Sequence, residues 1–280
     1  MTSKRILSDV LTQEGIADLT GMWPTHLVEQ WNRRLDPLFA AADDQHRSYV
    51  GADALVSTGI FGELFNDPVR RLIAGIQPSA LMYHCHSYEI AAAQTKSHIH
   101  AGAMQGWHQD DETLKHFTPR HPRYLSIFIL LTPVADDSGP FEFQPAPPGG
   151  GLRPGGEVVR LVGSVGTAAI WNRSYFHRAA PNRSIVRRRI LKLSIQPASL
   201  ANDRIGLDEF RNAFANLDDP WLRAVVDERR AGSETPLPDG GDEVLARPMN
   251  PSGTNTVTAT AATLGRARGL GRRLLSTAIR

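Results

Sequence analysis

His108 and Asp110 place an imidazole and a carboxylate two residues apart, a spacing at which both side chains leave the same side of an extended strand and can reach one metal ion. The pair alone says little, because chance supplies about 0.6 such pairs in a chain of this composition. His177 changes its weight: lying 67 residues beyond Asp110, it would bring a third ligand from a distant strand. Two imidazoles and one carboxylate on one face of an ion leave three positions open, which is what a metal enzyme needs. Arg188 follows His177 by eleven residues, and its planar fork suits the far carboxylate of a chelating keto acid. Each residue also has an ordinary reading. His108 and Asp110 could form a surface ion pair, His177 could be a hydrogen-bonded core histidine, and Asn182 reads as a turn residue after Pro181. Two rival readings stand beside this three-ligand metal site. A cupin-like metal enzyme would use His84 and His86 with Glu89 nearby and need no Arg188, and a non-catalytic binding protein on the same scaffold would not need all three ligands.

The combination resembles a known family. His108-Gln109-Asp110 is followed by Leu-Ser-Ile-Phe-Ile-Leu-Leu-Thr at 125–132, by Ser138-Gly139-Pro140-Phe141-Glu142-Phe143, and by His177 with Asn182 and Arg188. This order resembles the phytanoyl-CoA dioxygenase family over about residues 79–197, and Trp107 and the Leu125-Ser126 pair resemble its ectoine hydroxylases. The resemblance implies a double-stranded β-helix, or jelly roll, with Fe(II) held by His108, Asp110 and His177. It implies 2-oxoglutarate and O₂ as cosubstrates, Arg188 as the keto-acid anchor with Ser126 and Lys96 as further contacts, and oxidation of an unactivated C–H of a small molecule with release of succinate and CO₂. Related halogenases lack the carboxylate that Asp110 supplies, so halogenation is not implied. The sequence departs from the family after Phe143, where Gln144-Pro-Ala-Pro-Pro-Gly-Gly-Gly replaces Pro-Gly-Ser-His.

Three consecutive arginines, 187 to 189, leave the register of the anchor to be argued from facing. Leu191, Leu193 and Ile195 form one apolar side of a strand, with Arg188, Ile190, Lys192 and Ser194 on the other. If helices cover the apolar side, Arg188 points into the barrel. Asp111 points away from Asp110 and reads as a loop charge. Trp107, Phe141 and Trp171 are candidate cavity walls.

The elements that must position these groups are legible from periodicity. Residues 5–75 show apolar positions three and four apart and predict helices. From about Ser79, short runs rich in β-branched and aromatic residues predict strands at 80–90, 124–132, 141–144, 157–162, 167–171 and 187–196. Many short strands without alternating helices favour a sandwich or closed barrel. Helical periodicity returns at 207–217 and 220–229. The expected organisation is one mainly β jelly-roll domain over 1–232, with a helical lead-in at 1–78, a β core at 79–197 and a helical extension at 198–232. A Pro- and Gly-rich flexible tail with a basic C-terminal segment fills 233–280.

Composition bounds the partners. A formal charge of +2 gives no global field toward nucleic acid or anionic lipid. The single cysteine, Cys85, excludes an intrachain disulfide and a thiolate zinc site. No run approaches 18 apolar residues and no signal peptide is legible, so a cytoplasmic protein without a membrane span is expected. Arg120, Arg123, Arg160, Arg173, Arg178 and Arg183 fall in or near the barrel segment and would suit an anionic substrate if several faced its mouth. The sequence carries no signature of oligomeric state.

Overall fold

The computed structural model describes residues 5–41, 46–77, 80–95, 105–110, 124–145, 156–197, 213, 219–226 and 245–249. The lead-in runs β1 (Arg5–Ile6), α1 (Leu7–Gln13), β2 (Ile16–Asp18), α2 (Thr25–Ala40), β3 (Arg47–Val50), α3 (Ala52–Ser57), α4 (Ile60–Leu64) and α5 (Asp67–Ile76). The core follows as β4 (Ala80–Ile90), β5 (Leu125–Leu130), β6 (Phe141–Phe143), β7 (Val159–Leu161), β8 (Ala168–Asn172), β9 (His177–Ala179) and β10 (Arg188–Pro197). Helix α6 (Pro220–Val226) and strand β11 (Leu245–Pro248) complete it. The six strands expected from 80 to 197 are present within a residue or two of the expected limits. The seventh, β9, is too short for a periodic signal, and it carries His177.

The strands form two sheets, one of eight in the order β1-β11-β2-β8-β5-β10-β4-β3 and one of three in the order β7-β6-β9. All pairings between these strands are antiparallel. A long sheet facing a short one, with helices on the outer side of the long sheet, is a jelly-roll arrangement. Two apolar cores follow from strand alternation. Leu191, Leu193 and Ile195 of β10 pack with Val10, Trp31 and Phe61 of the helices, whereas Ile190 packs between the sheets with Tyr88, Phe128, Phe141 and Trp171. The expected facing of β10 therefore holds, and burying each such aliphatic side chain contributes about 1.5–3 kcal/mol to fixing it.

Opposite facings separate the three arginines. Arg189 turns to the helix side, where its guanidinium meets Glu89 and Asp36 at 2.7 Å each and lies 4.3 Å over Phe39. Arg187 joins the other oxygen of Glu89 at 2.8 Å. Removing Arg189 would leave a buried carboxylate short of its main partner, so Arg189→Ala is expected to lose about 3 kcal/mol of stability in denaturant unfolding. Keto-acid affinity should stay within about threefold, because this side chain lies outside the barrel.

Two expectations need correction. The lead-in is not wholly helical: β2 and β3 extend the long sheet, because Ile16 and Val50 present buried apolar side chains to it. The stretch read as a flexible tail contains β11, which pairs with both β1 and β2, and Met249 just after it is buried in the core between the sheets. Composition concealed this strand because its backbone ladders run to strands far away in sequence. Deleting residues from 240 onward is accordingly expected to cost about 2–4 kcal/mol, measurable as a lowered denaturation midpoint. Most of 198–219 and 250–280, with the basic segment, lie outside the described residues.

Candidate active site

The site begins with a backbone contact. His108 and His177 form an isolated antiparallel bridge, His108 N donating to His177 O at 3.0 Å and His177 N to His108 O at 2.9 Å. That pairing sets the two imidazoles side by side, with ring centroids 4.3 Å apart. The tight turn before His108, with positive φ at Gln105 and Gly106, brings the Gly106 carbonyl within 2.8 Å of His108 Nδ1. The Tyr175 carbonyl lies 2.9 Å from His177 Nδ1. A carbonyl only accepts, so in both rings Nδ1 carries the hydrogen and Nε2 keeps its lone pair for a metal. Asp110 completes the group: its Oδ1 lies 3.9 Å from His108 Nε2 and 3.7 Å from His177 Nε2. Ligand atoms of all three residues fall within 4.8 Å of one another, and this is the one such cluster of His, Cys, Asp or Glu among the described residues.

Arg173 holds the other oxygen of Asp110, with Nε to Oδ2 at 2.5 Å. Burial would raise the Asp110 carboxyl, but Arg173 first, then His177, Lys192 and His108, outweigh it and hold it well below the usual carboxylate range. His177 is pushed down to about 3, chiefly by burial, against the opposing pull of Asp110. The arrangement is thus a fixed carboxylate with a neutral His177 beside it, both ready to bind a cation without first losing a proton.

Arg188 is 1% exposed and points between the sheets. One Nη donates to the Gly139 carbonyl, the other reaches the Tyr88 hydroxyl at 3.3 Å, and Nε is buried with no hydrogen-bond partner. The Ser-Gly-Pro-Phe segment earns its glycine here. At φ +69°, Gly139 approaches so closely that a Cβ would lie 2.8 Å from Ala180 O and 2.9 Å from the Asn182 backbone. Asn182, fully buried, donates to the Ala91 and Val186 carbonyls and so ties the loop before Arg188 in place, as expected of a turn residue. Ser126 faces inward on β5, and its Oγ shares a 2.6 Å hydrogen bond with Ser194 Oγ. Lys96 and Asp111 lie outside the described residues.

Other candidates are placed differently from expectation. Glu89 projects to the helix side with Arg187 and Arg189, so it cannot join His84 and His86, which face the barrel, and the cupin-like set does not assemble. Arg173 is bound to Asp110, while Arg160 and Arg178 both hold Glu142, at 2.9 and 2.6 Å. These last two open, with Arg183, onto a cleft of about 530 Å³ on the outer side of the short sheet, away from the metal cluster. Arg120 and Arg123 lie outside the described residues. Phe141 and Trp171 stand beside the metal cluster, 5.9 and 4.4 Å from His177 between ring centroids. Trp107 instead stacks under Arg178 at 4.8 Å. Lys192 and Arg173 are the groups that residue types alone did not single out for roles beside the metal. For Lys192 the signal was its place on the inward side of β10.

A jelly roll presenting two imidazoles and a carboxylate, with a buried arginine eleven residues beyond the last, defines a metal-dependent oxygenase. The model of the family "Phytanoyl-CoA dioxygenase (PhyH)" matches residues 8–190, well over half of the chain, and the protein belongs to that family. It is an enzyme of the Fe(II)- and 2-oxoglutarate-dependent class. Solved structures share the fold at low identity. EctD from S. alaskensis, in its apoform, is 16% identical, with a TM-score of 0.53 over 71% of this chain and 78% of its own. HygX from Streptomyces hygroscopicus, solved with nickel and 2-oxoglutarate bound, is 9% identical, with a TM-score of 0.52 over 68% and 85%. The non-heme alpha-ketoglutarate-dependent epimerase SnoN from nogalamycin biosynthesis is 15% identical, with a TM-score of 0.51 over 69% and 82%. A comparison with curated proteins found no match.

Proposed function

We propose that His108, Asp110 and His177 hold Fe(II), that Arg188 anchors 2-oxoglutarate, and that the enzyme hydroxylates an unactivated C–H of a small molecule. The observation that carries this reading is the convergence of Nε2 of both histidines and Oδ1 of Asp110 on one point, with Arg188 Nε buried and unmet on the same inner side. The donor set fits a divalent iron: neutral nitrogens and one carboxylate oxygen, each oriented by a hydrogen bond through its other atom. A keto-acid carboxylate would satisfy Arg188 Nε, and the fork supplies charge-assisted bonds that lysine cannot reproduce. Within the Ser126–Ser194 pair one hydroxyl donates to the other, whose own hydrogen can meet a ligand on the inner side of the long sheet. Phe128, Phe141 and Trp171 keep water from the reacting carbon. The iron, when bound, supplies the oxidation itself, consuming R–H, O₂ and 2-oxoglutarate and giving R–OH, succinate and CO₂.

Under ¹⁸O₂ with Fe(II) and 2-oxoglutarate, the protein should form succinate carrying one labelled oxygen, and His177→Ala should not. Succinate formation that persists unchanged in that variant would contradict the reading. Arg173 fixes the carboxylate and leaves the metal to others, so Arg173→Met is expected to weaken Fe(II) binding by about 10- to 100-fold in an anaerobic titration while leaving the fold intact.

A further inference from the structure

His108 and His177 each donate from Nδ1 to a carbonyl, and the two carbonyls are held in different ways. That of Tyr175 belongs to the connection between β8 and β9, where Ser174 N and Tyr175 N both bond to Asn172 and the buried Tyr175 ring stacks on Phe143. That of Gly106 belongs to the turn before His108, in which Gln105 takes φ +51° and Gly106 φ +88°. A residue with a side chain keeps such a φ only where surrounding contacts fix it.

Arg178 supplies contacts of this kind. It follows His177 on β9 and, by strand alternation, leaves the outer face of the short sheet while His177 points inward. One row of side chains crosses that outer face: Arg160 of β7 and Arg178 of β9 are the cross-strand partners of Glu142 on β6. Arg178 grips Glu142 Oε2 through Nε and Nη2, both at 2.6 Å, and Arg160 Nε holds Oε1 at 2.9 Å. The remaining Nη1 of Arg178 donates to the Gln105 carbonyl at 3.0 Å, and the guanidinium lies 4.8 Å over the Trp107 ring. Arg178 therefore touches the residues on both sides of Gly106. Glu142, itself buried, fixes the plane of the guanidinium that does so.

We propose that Arg178 is a positioning residue for the metal ligand His108. By holding the turn at Gln105 and Trp107 it fixes the Gly106 carbonyl, which sets the tautomer and ring angle of His108 and so aims Nε2 at the metal. The role rests on the oxygenase reading given above and adds to it a line of contacts from Glu142 through Arg178 to one ligand. His177 takes its carbonyl from a separate, buried connection, so the effect is confined to His108.

The test uses the full-length protein loaded anaerobically with Co(II), which takes the same nitrogen and oxygen donors and shifts the N–H protons of bound imidazoles far from the rest of the proton spectrum. The unaltered protein should show two such exchangeable signals, the one missing in His108→Ala belonging to His108. In Arg178→Met that signal should exchange with solvent about tenfold faster or more, with Co(II) affinity lowered about tenfold and the His177 signal unchanged. Arg178→Lys keeps a charge beside Glu142 but cannot hold it and Gln105 together. It should show the same loss, with its denaturation midpoint near that of the unaltered protein. Arg160→Met removes the other partner of the same carboxylate and should leave both signals alone. An unchanged His108 signal and affinity in either folded Arg178 variant, or equal changes in both histidine signals, would overturn the role. So would the same change in Arg160→Met, which would mark a general loosening of the short sheet. Absence of shifted N–H signals in the unaltered protein would count against the metal site itself, and the role would fall with it.

Discussion

Alanine at His108, Asp110 or His177 is expected to lower Fe(II) affinity by more than about 100-fold, since groups that merely orient metal ligands are already worth 10- to 100-fold. The three losses should be similar in size because each removes one of three convergent donors. Stability should respond differently at the three positions. His177 is buried, and its ring packs against Trp171 and Phe141, so alanine there also leaves a cavity worth about 2–3 kcal/mol. Asp110 presents a contrasting case: removing it strands the Arg173 guanidinium, which is 2% exposed, so Asp110→Asn is the cleaner variant. Anaerobic Fe(II) titration alongside denaturant unfolding separates the two effects. Unchanged iron affinity in all three alanine variants would remove the metal site from the account.

The second large effect belongs to Arg188. Its loss should weaken 2-oxoglutarate by about 30- to 1000-fold, the equivalent of 2–4 kcal/mol for stranding a carboxylate in a buried site, while iron affinity is retained. Arg188→Lys should recover little, because an ammonium cannot reproduce the bond from Nε. Arg187→Ala and Arg189→Ala should leave 2-oxoglutarate affinity within about threefold, since both guanidiniums are bound to Glu89 on the helix side. Affinities of the three single variants, measured anaerobically with Fe(II) present, check this. A critical Arg187 or Arg189 with a dispensable Arg188 would mean that the anchor lies one residue out of register.

The parts of this architecture legible in the sequence are those that local pattern controls. Alternation in Arg187 to Gln196 decided which arginine enters the barrel, because Leu191, Leu193 and Ile195 can be buried only under helices. His108, Asp110 and His177 were legible because metal ligation restricts residue types so sharply that spacing and downstream context carry information. Arg173 could not be read this way. It resembles any solvated arginine until the bridge between His108 and His177 carries Asp110 across to it. Glu89 stood close to two histidines in sequence and was separated from them by one step of strand parity. Strand β11 escaped because its partners, β1 and β2, lie more than 200 residues away and its own composition is that of a loop. Of the arginines in or near the barrel segment, Arg173 is the partner of Asp110, and Arg160 and Arg178 are the partners of Glu142 on the outer side of the short sheet.

The most direct test of the central claim is anaerobic absorption spectroscopy of the full-length protein mixed with Fe(II) and 2-oxoglutarate. A keto acid chelating an iron held by His108, Asp110 and His177 should give a weak visible charge-transfer band that saturates at one equivalent of iron per chain. The band should be absent in His177→Ala, and in Arg188→Ala it should appear only at much higher 2-oxoglutarate. A folded protein that binds iron yet gives no such band, or an equal band in His177→Ala, would contradict the account.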